Sequence, residues 1–429
     1  MSEFIEYSPD FDPGAIPLAD IDPAQPDLFA NDAHWGLFER LRNEDPVHYT
    51  PAGPHGAYWS VTKYSDIVAV DSDHQTFSSA SGITLGRRAQ RELTEEEKEQ
   101  QRIREEQMGP FGMFIAMDPP KHDVQRATVT PVVAPPNLAK LESTIRERAG
   151  KILDDLPVGE TFNWVDRVSV ELTTQMLATL FDFPFEERRK LTMWSDLATG
   201  GEAAAHIPPE QRRPELMNCL MEFTKLWEQK AAEPPSTDLI SMLVHGENTK
   251  DMKPFEFLGN LLLLIVGGND TTRNSISGGV LALNQNPAEY DKLRADHSLV
   301  PNMVSEIIRW QTPLTHMRRT ATRDTELGGK QIREGDRVVM WYVSGNRDAT
   351  AIDRPDEFII DRPNARHHVS FGFGIHRCMG NRLAEMQVRV LWEEILKRFR
   401  MVEVVGEPQR THSVFIKGYS HLPVQVHPL

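Results

Sequence analysis

Phe371-Gly-Phe-Gly-Ile-His-Arg-Cys-Met-Gly380 is the stretch from which this 429-residue chain is best read. It holds one of the two cysteines and crowds three glycines, Gly372, Gly374 and Gly380, around it. Leu383, Met386, Val390, Leu391 and Phe399 follow at helical spacing, which predicts a helix directly after the loop. Cys378 therefore sits at a helix mouth, where unpaired N–H groups and the helix dipole favour a thiolate. The glycines let backbone approach something bulky and flat. A thiolate held this way suits an iron ligand better than a disulfide.

A second stretch, Gly267-Gly-Asn-Asp-Thr-Thr272, interrupts the apolar-periodic segment Leu258–Asn284. Adjacent glycines inside a helix cost roughly 0.5–1 kcal/mol each relative to alanine. A long helix that tolerates them breaks a local rule, as functional sites often do. Thr271 can donate its hydroxyl to the carbonyl of Gly267 and bend the helix, opening a groove. Dioxygen on iron needs such a groove, and an acid–alcohol pair beside it can relay protons. The plain alternative is that Asp270 caps a fresh helix after a glycine break.

Composition narrows the field. The net charge of −16 argues against nucleic acid and against an anionic membrane surface. Cys219 and Cys378 cannot form a disulfide framework, which suggests a reducing, cytoplasmic setting. The first residues show neither a basic nor an apolar signal region, and the most apolar run, Leu258–Gly268, is too short to span a bilayer. No dinucleotide Gly-x-Gly-x-x-Gly fingerprint is visible, so an enzyme needing electrons must take them from a partner.

The remaining pattern is mainly α with a minor β portion, read as one large α-rich domain over 1–429 with an irregular arm at 1–30. Helices are expected at His34–Asn43, Tyr64–Asp71, His122–Val132, Pro136–Leu153, Val165–Phe181, Phe185–Leu197, Glu215–Ala232, Asp238–Val244, Pro254–Asn284, Pro287–Ala295 and Pro301–Trp310. Glu92–Glu106 is a charged run, either a solvated helix or a mobile segment. Residues 199–214 read as a polar loop. Strands are expected at Val47–Thr50, Ala57–Val61, Met317–Ala321, Thr325–Leu327, Val338–Tyr342, Val402–Val405 and Val414–Val426.

Phe371-Gly-x-Gly-x-His-Arg-Cys-x-Gly380 resembles the haem-binding loop of the cytochrome P-450 family. Asp270 and Thr271 resemble the family's oxygen-activating acid and alcohol. The resemblance implies that fold, with haem b as cofactor and Cys378 as the axial ligand of its iron. It implies a monooxygenase that uses dioxygen and two externally supplied electrons. His122, Arg126, Arg319 and His376 match family partners of the haem propionates, and Phe371 and Gly372 belong to the cofactor loop. Glu306-Ile-Ile-Arg309 matches the family's buried Glu-x-x-Arg pair. The slot for the arginine that completes that network holds Glu357 instead, leaving Arg354 or Arg362 to compensate.

Gly109–Pro120, Thr312–Arg319 and Ser344–Asp348 are similar to the bacterial subfamily that hydroxylates the terminal carbon of medium-chain alkanes and fatty acids. Segments expected over the haem are apolar: Phe111, Met113, Leu263, Val266, Leu314, Met317, Val414 and Phe415. Methionine adapts to a floppy chain. The implied electron donor is a ferredoxin with an NAD(P)H-dependent reductase, and Arg377, Arg382, Arg389 and Lys397 could meet such an acidic carrier. Rival readings are a cyclic terpenoid or steroid-like substrate, a haem sensor, a lipid carrier without haem, and a zinc site at His367, His368, His376 and Cys378.

Overall fold

The computed structural model describes the chain except residues 1–6, 9, 52, 87–93 and 201–206. Helices dominate. In chain order they are α1 (Pro26–Ala30), α2 (His34–Glu44), α3 (Tyr64–Ser72), α4 (Glu95–Met108), α5 (Lys121–Val129), α6 (Pro135–Asp154), α7 (Glu171–Phe181) and α8 (Arg189–Thr199). There follow α9 (Pro209–Ala232), α10 (Leu239–His245), α11 (Pro254–Gln285), α12 (Pro287–Ala295), α13 (Val300–Gln311), α14 (Tyr342–Gly345) and α15 (Asn381–Leu396).

The central helix α11 runs unbroken for 32 residues, so Asp270 does not cap a new helix. Pro254 opens it, where a missing N–H costs nothing. From Asn269 onward almost all of its surface is buried, because α7, α8, α13 and α15 pack around it. The largest apolar cluster gathers on these helices.

The main sheet has strand order β1-β2-β8-β5-β3, from β1 (Val47–Thr50), β2 (Tyr58–Val61), β3 (Phe77–Ser78), β5 (Met317–Ala321) and β8 (Arg337–Met340). Arg319 lies opposite Val338, and Met317 opposite Met340. A hairpin joins β6 (Thr325–Leu327) to β7 (Lys330–Ile332) through Gly328 and Gly329, both at positive φ, as a two-residue primed turn requires. β4 (Phe162–Asn163), β12 (Pro423–Pro428) and β9 (Phe399–Val404) form a second sheet, and β10 (Gln409–Arg410) pairs with β11 (Tyr419–His421).

Several expectations need correction. The arm before residue 30 is not loose: Ile16, Ile21, Leu28 and Phe29 are buried, and Phe29 stacks on Trp341. α9 begins at Pro209, six residues earlier than the expected Glu215, and carries Pro214 internally. Residues 201–206 of the expected polar loop lie outside the described residues. The charged run forms α4 from Glu95 on, while Glu92 lies outside the described residues. The expected strand Val414–Val426 divides, and residues 414–418 form a connection pinned to the entrance of β5. Among the described residues, no helix is long and apolar enough to cross a membrane.

Candidate active site

The cysteine loop is shaped by its own backbone and by α3. Gly374–His376 makes a single 3-10 turn, and the N–H of Cys378 donates to the carbonyl of Phe371 at 2.8 Å. Gly372 and Gly374 have φ of +65° and +63°. A Cβ on Gly374 would lie 2.4 Å from the carbonyl oxygen of Asp71, so only glycine fits. Cys378 lies deep in the protein, yet its own surface is left uncovered by neighbours. Burial pushes its thiol up, against the opposing pull of the Gly380 N–H, Arg126, Arg377 and the Asn381 N–H. The helix-mouth N–H groups and the two arginines thus favour the thiolate, as the sequence implies, while desolvation opposes it.

On α11 the Thr271 hydroxyl donates to the carbonyl of Gly267 at 2.9 Å, as the i, i+4 spacing implies. Thr271 is half-buried, whereas Asp270 is wholly buried and turns towards α8. Asp270 pairs with Arg273 at 3.0 Å and accepts hydrogen bonds from Asn269 at 3.1 Å and Thr199 at 3.2 Å. Arg273 also pairs with Asp196 on α8 at 2.6 Å. Burial raises the pKa of Asp270; Arg273 lowers it, and the neighbouring Asp196 adds to the rise. The acid and the alcohol thus occupy different faces of one helix turn. A Cβ on Gly267 would meet nothing within 4 Å, while one on Gly268 would strike Leu177 at 2.6 Å. Gly267 is the residue that leaves room.

His122 and His376 stand edge to face, with ring centroids 4.5 Å apart. The Nδ1 of His122 bonds Asp123 at 2.8 Å; its Nε2 and both nitrogens of His376 are buried without a partner. Burial, then Arg319, His122 and Arg126, lower the pKa of His376 to about 2. Arg126 donates to the carbonyl of Arg377 at 2.5 Å and lines a cleft of about 590 Å³ with His122 and Ile375. Orphaned buried nitrogens beside cations, next to an uncovered thiol, fit a flat cofactor that carries carboxylates. Among the described residues no three His, Cys, Asp or Glu side chains are placed to hold a metal ion, so the zinc alternative finds no support.

Arg319 points its guanidinium at Asp71, 2.6 Å away, and both are buried. Asp71 also accepts from the Phe373 N–H at 2.7 Å and from the Tyr342 hydroxyl at 2.9 Å. One carboxylate therefore joins α3, β5 and the cysteine loop. Sequence reading missed it, because a lone aspartate in a helix carries no motif.

The apolar residues expected over the site fall into two groups. Leu263, Val266, Leu314, Met317, Val414, Phe415 and Met113 are half-buried. The N–H of Phe114 donates to the Asn260 side chain at 2.9 Å, which sets the 111–117 stretch beside α11. Phe111 itself is 53% exposed and lines an outer cleft with Arg104, Arg213 and Phe255. It stands apart from the others.

Glu306 and Arg309 are fully buried, paired at 2.7 Å. Arg362 completes the network through its Nε at 3.0 Å from Glu306. Glu357 contributes its backbone carbonyl to both Arg309 and Arg362, while its carboxylate faces outward to Arg354. On the loop's outer side, Arg377 and Arg382 are exposed, but Arg389 is paired with Glu142 and Glu393 and Lys397 with Glu394.

Comparison with known proteins gives the same assignment along the chain. The sequence model of the family described as cytochrome P450 matches residues 210–418. Linalool 8-monooxygenase of Pseudomonas putida is 35% identical over 95% of this chain and 99% of its own. Methyl-branched lipid omega-hydroxylase of Mycobacterium tuberculosis is 31% identical over 96% of each. Among solved structures, cytochrome P450-153 from Novosphingobium aromaticivorans superposes with a TM-score of 0.86 at 45% identity, covering 95% of this chain and 99% of that one. CYP153D17 from Sphingomonas sp. PAMC 26605 gives 0.86 at 48% identity, covering 94% and 98%.

Proposed function

The chain belongs to the cytochrome P450 family, and from that premise we propose that it hydroxylates the terminal methyl group of medium-chain alkanes or fatty acids. The monooxygenase class and the haem b cofactor come with the family; the substrate and the roles of single residues are our reading. The observation that carries the substrate is the set of half-buried apolar residues on three segments, Leu263 and Val266, Leu314 and Met317, Val414 and Phe415, with no charged side chain among them. Such walls suit a chain rather than a polar ring system. The omega-hydroxylase relative supports the same reading.

Bound at Cys378, haem b supplies the activation of dioxygen, so that two electrons and two protons place one oxygen atom in a C–H bond and release the other as water. The residues of the chain do the rest. Cys378, whose N–H donates to the Phe371 carbonyl just before the α15 entrance, would hold the haem iron through its sulfur. His122 and His376 would hold the propionates through ring nitrogens that otherwise lack partners, Arg126 would add its charge beside them, and Arg319 would serve them while fixed by Asp71. Gly267 keeps the space beside α11 open. Burial raises the pKa of Asp270 and so favours its holding a proton, and Thr271 presents a hydroxyl on the open face. Terminal attack selects the strongest C–H bonds of the chain, so positioning must exclude the neighbouring carbons.

The electrons come from a ferredoxin with its reductase. An iron–sulfur cluster needs several cysteines, and this chain has two, one of them the ligand. Arg377 and Arg382 supply exposed positive charge on the cysteine side. Product analysis with n-alkanes and fatty acids, driven by a surrogate ferredoxin chain, tests the proposal. Terminal alcohols should dominate; mainly subterminal alcohols would overturn it. The linalool relative favours a second reading, a terpenoid substrate, which preferential turnover of terpenoids over linear chains would support.

A further inference from the structure

Three separate stretches around the entrance of β5 are joined through one imidazole. The backbone N–H of Leu85 donates to His316 Nε2 at 3.2 Å. That bond makes Nε2 the acceptor and leaves the ring proton on Nδ1, 2.9 Å from the Thr315 hydroxyl oxygen. The Thr315 hydroxyl in turn donates to the carbonyl of Val414. A directed chain of three hydrogen bonds thus runs from residue 85, through 316 and 315, to 414. The ring is 1% exposed and lies between Trp341 and Phe415, with centroids 4.9 and 5.5 Å away.

Backbone bonds extend the same seam. The N–H of Arg318 donates to the Ile83 carbonyl at 2.7 Å, and that of Thr315 to Phe415 at 3.0 Å. Leu314 pairs with Ile416 as an isolated bridge. These stretches carry Leu314, Met317, Val414 and Phe415, four of the residues read above as the substrate wall. Burial holds His316 neutral, with its pKa lowered to about 3. A neutral imidazole is both donor and acceptor, which this chain of bonds needs; a protonated ring would face the Leu85 N–H with a second donor.

We propose that His316 is a positioning residue for regiospecificity, holding the 82–85, 314–317 and 414–416 stretches in one register so that only the chain end reaches the oxidising centre. The inference rests on the terminal-hydroxylation reading for its direction. Adjacent carbons of a chain are close together, and a misplacement of about 1 Å can change a rate by up to ~10²-fold. A small slip between these stretches is therefore enough to admit the next carbon.

The test compares His316→Phe, which keeps an aromatic ring between Trp341 and Phe415 but makes neither hydrogen bond, with His316→Gln, which can accept and donate as the imidazole does. Decanoic acid and n-decane are the probes. The readouts are the ratio of terminal to subterminal alcohol, thermal midpoint and the carbon monoxide difference spectrum of thiolate-ligated haem. His316→Phe should keep that spectrum and lower the terminal ratio at least about fivefold, while His316→Gln stays within about twofold of the parent. Thr315→Val cuts the link to Val414 alone and should shift the ratio the same way, which keeps the test open if His316→Phe does not fold. An unchanged ratio in the folded variants, or equal loss in His316→Phe and His316→Gln, overturns the inference. Mainly subterminal products from the parent protein would instead refute the terminal reading, and a change of ratio in His316→Phe would still report the positioning role.

Discussion

Asp71 and Arg319 form a buried ion pair of 2.6 Å whose carboxylate also holds the N–H of Phe373, five residues before the cysteine. Asp71→Asn keeps an acceptor but leaves Arg319 uncompensated. Removing one partner of a buried pair costs about 3–5 kcal/mol. The variant should show a lower thermal midpoint and a smaller fraction of haem in the thiolate-ligated carbon monoxide form. Unchanged values for both would mean that Asp71 does not position the loop.

The Glu306 network makes a sharper contrast between two arginines. Arg362 is 5% exposed and reaches Glu306, whereas Arg354 is an outward partner of Glu357. Arg362→Met should cost about 3–5 kcal/mol by denaturant unfolding. Arg354→Met should stay within about 1 kcal/mol of the parent, as exposed pairs do. Equal losses would show that the completing arginine is misassigned.

Two neighbouring glycines on α11 should behave oppositely. Gly267→Ala places its methyl in open space and gains helix propensity, so the protein should gain about 0.5–1 kcal/mol. Its activity should fall on bulkier substrates first, because the added methyl narrows the open side. Gly268→Ala meets Leu177 and should lower the melting temperature. Melting curves and a substrate series check both outcomes.

Asp270→Asn removes the proposed proton carrier while keeping the shape of the Arg273 network. Turnover should drop about 10²–10⁴-fold with haem binding intact. Thr271→Ala should likewise leave the haem spectrum unchanged but lower the product formed per electron consumed. Full coupling in Thr271→Ala would remove the hydroxyl from the proposed mechanism.

Acid stability follows from histidines that the fold keeps neutral. Burial, then Lys417, lowers the pKa of His34 to about 3, and burial, then Arg309, does the same for His368. The unfolded imidazole takes its proton near about pH 6.5, so between there and about pH 3 the unfolded state binds more protons. Stability is therefore complete above this window and falls as pH drops through it, by up to about 1.4 kcal/mol per pH unit for each histidine. Glu306, whose carboxylate Arg309 and Arg362 hold low against the effect of burial, works in the same direction, and Asp270 in the opposite one. His34→Gln should flatten unfolding free energy against pH by about one proton, measured between pH values of about 6 and 4.

Local spacing made the two main signals readable. Thr271 and Gly267 are four residues apart, and the glycines around Cys378 fall within one ten-residue stretch, so sequence alone exposes both. The Glu306–Arg309 pair was equally plain, but its third member depended on a turn that no periodicity specifies, and the choice fell on Arg362. Asp71, His316 and the packed arm before residue 30 were not readable, because their meaning lies in partners hundreds of residues away. The first turns of α9 lie in the stretch 199–214, whose polar residues read as a loop, and a proline close to a helix beginning sacrifices few bonds. Phe111 is expected over the haem from its apolar character and its place in the Gly109–Pro120 stretch, yet the chain turns it to an outer cleft.

The crowding of Gly374 by Asp71 and Ser72 carries a consequence for biogenesis. The ribosome makes α3 well before the cysteine loop, and 302 residues separate Asp71 from the Phe373 N–H it holds. The loop therefore reaches its final φ angles only after the amino-terminal and carboxy-terminal parts of the chain have met. Contacts of such long sequence separation form slowly. Capture of the cofactor in its working geometry therefore waits on this long-range contact, and a nascent chain stalled before residue 371 has no loop with which to receive it.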